Sequence, residues 1–66
     1  MQKELKNLKS GEVFIFNGLR AMKVNRSAVR EFYKDQEPFV YLDSPGKGLI
    51  HWGPGDTRVE LIENLF

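Results

Sequence analysis

Glu12-Val13-Phe14-Ile15-Phe16-Asn17-Gly18-Leu19-Arg20-Ala21-Met22-Lys23-Val24-Asn25 is the stretch on which the fold turns. Val, Phe, Ile and Phe favour a pleated, packed surface, so residues 12–16 read as a strand. Both of its sides are apolar, and such a strand is expected to be covered on both. Asn17-Gly18 is the strongest short hairpin signal, because a type I′ turn needs positive φ at both central residues. The return strand spans 20–25. Met22 and Val24 share one side, which the pattern assigns to the core, and Ala21, Lys23 and Asn25 share the other.

The same grammar continues to the right. Pro38 opens a third strand over 39–43, with Val40 and Leu42 on one face. Ser44-Pro45-Gly46-Lys47-Gly48 reads as a type II turn, with proline at its second position and glycine at its third. A strand over 49–52 follows, then the turn Gly53-Pro54-Gly55-Asp56, then a strand over 57–62. The expected core is Phe14, Phe16, Met22, Val24, Val40, Leu42, Ile50, Val59 and Leu61. Residues 27–34 read two ways. Ala28, Val29, Phe32 and Tyr33 form a helical stripe with Ser27 as N-cap, giving one or two helical turns; the rival is a strand running into a loop. To the left, Leu5 and Leu8 stand at i, i+3 among lysines, so residues 1–9 are a short helix or a flexible leader. Residues 10–62 form the β core and 63–66 an apolar tail ending in Leu65-Phe66.

The fold class is therefore mainly β: a small five-stranded SH3-like barrel or open sandwich with one short helix or helical turn. Leu8-Lys9-Ser10-Gly11-Glu12-Val13-Phe14, Asn17-Gly18, Met22-Lys23-Val24 and Val59-Glu60-Leu61-Ile62 together resemble small phage and prophage proteins of unknown function with SH3-like barrels. The resemblance covers roughly residues 8–62. It implies the barrel and a phage origin, and transfers no catalytic or binding residue. Residues 26–38 are longer than that pattern expects.

Sixty-six residues make one domain. A chain of this size buries only about 60% of its unfolded surface, so its stability margin is expected to be no more than ~3–5 kcal/mol. There is no cysteine, hence no disulfide and no thiolate metal site. Met1-Gln2-Lys3-Glu4-Leu5-Lys6 is too polar to lead a signal segment, and Val13–Phe16 is far short of a membrane span. The expected location is the cytoplasm.

The net charge is +1, too small to imply a polyanionic partner by itself. Its distribution is uneven. Residues 1–34 carry eight bases and three acids, an excess of +5; residues 35–66 carry two bases and six acids, an excess of −4. Either a charged face results or the halves pair across the fold and cancel.

Catalytic and metal chemistry find little to build on. His51 is the only histidine, with Ser44 and Asp43 across one hairpin; packing on the sheet is the simpler role. One histidine without cysteine gives no ordinary zinc site, and Asp43, Asp56, Glu60 and Glu63 lack calcium-loop spacing. Gly46-Lys47-Gly48 lacks the serine or threonine and the helix of a phosphate loop. No enzyme activity, metal or cofactor is expected.

Two binding readings remain. A protein partner or self-association fits the sheet edges and the aromatic composition, with Trp52, Tyr41 and Phe66 as apolar anchors. Single-stranded nucleic acid is the alternative, with Lys23, Arg26, Arg30, Lys34 and Lys47 on phosphates and Tyr33 among the stacking rings.

Overall fold

A computed structural model describes residues 1–28 and 33–62. Among these residues six strands form one antiparallel sheet: β1 (Gln2–Glu4), β2 (Val13–Phe16), β3 (Leu19–Lys23), β4 (Gln36–Tyr41), β5 (Ile50–Pro54) and β6 (Arg58–Leu61). Their order is β1-β6-β2-β3-β4-β5. Short 3-10 turns occupy Leu5–Asn7 and Arg26–Ala28. The second falls in the stretch read as helical or extended, and residues 29–32 lie outside the described residues. No helix among the described residues is long and apolar enough to cross a membrane.

The mainly β expectation holds, with one strand more than anticipated. The extra strand comes from residues 1–9, where β1 pairs with β6 through Gln2↔Glu60, Lys3↔Val59 and Glu4↔Arg58. The chain then turns inward. Leu5 is fully buried and Leu8 nearly so. Leu5 N–H donates to Thr57 O and Lys6 N–H to Gly55 O, both at 2.8 Å. Residues 5–6 thereby join the chain leaving one edge strand to the turn leaving the other, and the sheet curls around its core.

The hairpin between β2 and β3 forms where the Asn-Gly signal puts it. Asn17 has φ 53° and Gly18 φ 77°, both positive as a type I′ turn demands. A side chain at Gly18 meets nothing within 4 Å, so the strain of a substitution is in the backbone alone. Gly18→Val is expected to cost ~1–3 kcal/mol, read as a lower melting temperature. An unchanged melting temperature would show that the turn relaxes freely.

The core is Leu5, Leu8, Phe14, Ala21, Phe39, Tyr41 and Val59, with Phe16, Leu19 and Leu61 packed against it. Phe14, Phe16, Val59 and Leu61 face inward as the pattern predicts. Met22, Val24, Val40 and Leu42 do not: they are only partly buried, and Ile50 is 47% exposed. Cross-strand pairing explains the reversal. Phe14 pairs with Ala21, Ala21 with Tyr41, and Lys23 with Phe39. Directly paired residues share a face, so once Phe14 points inward, Ala21, Lys23, Phe39 and Tyr41 follow. Two aromatic rings opposite one alanine fill the interior, and Val13, Met22, Val40 and Ile50 line up across the outer face.

Two local details also differ from the sequence reading. Strand β4 starts at Gln36, so Pro38 lies inside it; β3 ends at Lys23, and the missing Pro38 N–H falls beyond that end, where Val24 N–H donates to Pro38 O. The 44–48 turn is not type II, because Gly48 rather than Gly46 has positive φ. Gly46 serves closeness instead: a Cβ there would stand 2.5 Å from Tyr41 Cδ2.

Candidate functional site

The inward parity of β4 decides where most of the candidate residues end up. Phe39 is the hub of a ring cluster, with centroids 5.5 Å from Phe14, 4.8 Å from Phe16, 5.4 Å from Tyr41 and 6.0 Å from His51. Tyr41, expected as a surface anchor, is 7% exposed. Its hydroxyl accepts a hydrogen bond from Asn17 Nδ2 at 3.2 Å, tying the hairpin turn to the core. His51 lies stacked on Phe39 and 4.6 Å from the Tyr41 ring. Its Nε2 is buried with no hydrogen-bond partner among the described residues.

Asp43 is committed elsewhere. Arg20 Nε donates to both of its carboxylate oxygens at 3.2 and 3.1 Å, and Arg20 Nη2 to Oδ1 at 2.8 Å. The Arg20 backbone N–H adds a bond at 3.0 Å. These bonds, the side-chain ones first, hold the Asp43 carboxyl at about 2 against an ordinary 3.8. A carboxyl lowered in the folded state contributes stability above its unfolded value, lost as pH falls through the folded one. The clamp therefore works above pH 3.8 and fails as pH drops toward 2. Carboxyl-carbon NMR should titrate Asp43 near 2, and Arg20→Gln should return it toward 3.8. A midpoint unmoved by that substitution would refute the clamp.

Of the bases of the nucleic-acid reading, Lys23 and Arg26 line one hollow and Arg26 and Lys34 the cleft beside it, while Lys47 lines neither. Lys23 is 5% exposed. Its Nζ stands 3.0 Å from Glu37 Oε1 and donates to Val24 O at 3.2 Å. Arg26 Nη2 stands 3.5 Å from Glu37 Oε2 and donates to the backbone oxygens of Tyr33 and Gln36. Lys34 and Lys47 are exposed. Arg30 and Phe66 lie outside the described residues. With Arg20–Asp43, Lys23–Glu37 and Arg26–Glu37, bases of the first half pair with acids of the second. Pairing across the fold thus takes up part of the charge asymmetry.

Comparison with protein-family models, curated proteins and solved structures finds no match. The chain's own surface therefore carries the functional argument.

Among the described residues, an apolar region lies at the sheet's end. Strand β5 pairs with β4 on one side only and is an edge strand among the described residues. In the β3–β4 ladder, Leu42 N–H donates to Arg20 O and Val24 N–H to Pro38 O. Even-numbered residues of β4 thus bond toward β3 and odd-numbered ones toward β5. Phe39↔His51 and Glu37↔Gly53 are then the bonded pairs of the β4–β5 ladder, and the backbone groups of Ile50 and Trp52 point outward. Leu49 is 59% and Ile50 47% exposed. Trp52 is partly buried, with the exposed Tyr33 ring edge-on at 4.9 Å. The apolar signal of Leu49-Ile50 was visible in the sequence; its exposure depended on the face, and the face was set by register.

Proposed function

We propose that this domain is a non-enzymatic interaction module that takes an extended segment of a protein partner along β5. The observation that carries the reading is an edge strand without charged residues: Leu49, Ile50, His51, Trp52 and Gly53 include no lysine, arginine, aspartate or glutamate, Leu49 and Ile50 are exposed, and the proline guard, Pro54, stands only at the strand's end. Edge strands that must stay unpaired are normally blunted by such charges. Strand addition draws affinity from backbone hydrogen bonds and selectivity from alternate side chains. Ile50 and Trp52, with Tyr33 beside the indole, supply those side chains here, replacing Tyr41 in the anchor set. The curled sheet, bridged across its ends by residues 5–6, is the support for reading the scaffold as a small SH3-like barrel.

Affinity capture from nuclease-treated host lysate tests the proposal with three proteins: wild type, Ile50→Lys and Trp52→Ala. Ile50→Lys places a charge on the exposed edge and should leave the fold intact while cutting recovery of a specific protein at least ten-fold. Trp52→Ala should weaken binding by ~2 kcal/mol or more, in the range of interface anchors. Raising salt should change little, whereas phosphate-driven binding falls steeply. Equal recovery by all three proteins, or recovery abolished by nuclease, would overturn the reading.

A further inference from the structure

At the Glu37 end of β4, bordered by Lys6 of the turn Leu5–Asn7, lies an open pit of about 280 Å³. Lys6, Lys23 and Arg26 line it, with Ser10 and Asn25; Glu37 is the lone carboxylate among the lining residues. The lining thus carries an excess of two positive charges. Lys6 also comes within 3.8 Å of Glu4, a loose pair at the exposed rim. Lys23 is the informative residue. Its side chain is 6% exposed, and its ammonium has two oxygen neighbours for three N–H donors, Glu37 Oε1 and Val24 O. The third donor of this nearly buried ammonium has no oxygen neighbour among the described residues, and an anion in the pit would supply one through a charge-assisted hydrogen bond.

We propose that this pit binds the terminal phosphate of a small phosphorylated metabolite. Lys23 forms the floor, Arg26 and Lys6 the walls, and the Ser10 hydroxyl and Asn25 amide flank the entrance. A neighbouring cleft of about 550 Å³ shares Lys6, Arg26 and Glu37, touches β5 at Pro54, and adds Lys34 together with the carboxylates Asp35 and Asp56. Those carboxylates accept hydrogen bonds, so the remainder of the ligand is polar and rich in hydroxyl or amino donors. The buried floor selects a terminal phosphate over a polymer backbone, which has no free end to reach Lys23. The pit that holds the phosphate shares no residue with β5, and its test does not depend on partner binding.

Two-dimensional amide NMR of the intact chain tests it, titrating ribose 5-phosphate, inorganic phosphate and an oligonucleotide without terminal phosphate. Saturable shifts at residues 6, 8, 10, 23, 25 and 37 are expected with the first two and not with the third. Lys23→Met, close in volume, should weaken ribose 5-phosphate at least ten-fold. Lys6→Gln and Asn25→Ala change exposed side chains and should each weaken it three-fold or more, which keeps the test decisive if Lys23→Met does not fold. Shifts that never saturate and scatter over Lys3, Lys9 and Lys47, which line neither the pit nor the cleft, would overturn the site. So would affinities unchanged in Lys6→Gln and Asn25→Ala, and so would tighter binding of the oligonucleotide.

Discussion

Phe39→Ala should leave the chain unfolded at 25 °C, with amide dispersion and near-ultraviolet dichroism lost together. Phe39 is 1% exposed and its ring meets those of Phe14, Phe16, Tyr41 and His51. Truncating such a ring removes ~3–5 kcal/mol of transfer and cavity energy. A domain of this size has a margin of ~3–5 kcal/mol in total. The neighbouring Val40→Ala is the informative comparison. Val40 lies on the outer face, paired with Met22 and the exposed Ile50, and its truncation should cost only about 1 kcal/mol. A folded Phe39→Ala beside an unfolded Val40→Ala would mean that β4 is shifted by one residue, since a single-residue slip turns every side chain to the other face. Urea denaturation of the two variants therefore measures the register directly.

That parity is the part of the fold the sequence leaves open. Strand positions and the Asn17-Gly18 hairpin are legible because apolar runs stand between strong turn formers. The inward face of β4 is not, because Phe39-Val40-Tyr41-Leu42 is apolar on both sides and period two has no sign. Pairing with β2 and β3 breaks the tie. Phe14 opposite Ala21, and Ala21 opposite Tyr41, give an interior of rings against a methyl group. The leader was opaque for another reason: three polar residues, Gln2, Lys3 and Glu4, carry no strand signal, and β1 forms because the exposed edge of β6 accepts it. Only Leu5 and Leu8 hinted that residues 1–9 belong to the core.

The candidate sites depend on the same parity. Read as a surface base, Lys23 belongs beside Lys34 and Lys47; on the inward face it becomes a buried cation that needs a counterion. Glu37 is fourteen positions away in the chain but two residues from Phe39, the direct partner of Lys23 across the ladder. With the register known, the diagonal Lys23–Glu37 contact follows; without it, nothing in the spacing signals the pair. The exposed edge behaves similarly. Leu49-Ile50-His51-Trp52 announces a strand, and its place at the sheet's margin emerges only from the strand order.

Glu37→Gln should destabilise the domain by about 3 kcal/mol, nearly the whole margin. The carboxylate is 14% exposed and serves two cations, Lys23 at 3.0 Å and Arg26 at 3.5 Å. Removing one partner of a buried pair leaves an uncompensated charge, which costs ~3–5 kcal/mol. The lower end applies here because the Arg26 side chain is 35% exposed, so water screens that half of the interaction. Lys23→Met is the milder change: it deletes the buried ammonium, keeps much of its volume, and leaves Glu37 with Arg26. Its cost should stay below ~1.5 kcal/mol. Combining the two substitutions then removes the orphaned cation that makes Glu37→Gln severe. The double variant should be more stable than Glu37→Gln alone, and a coupling of ~1–3 kcal/mol should appear in a double-mutant cycle read from urea midpoints. Costs that simply add would show that Lys23 reaches water when its partner is lost, and the pit would then lack the fixed cationic floor that a phosphate requires.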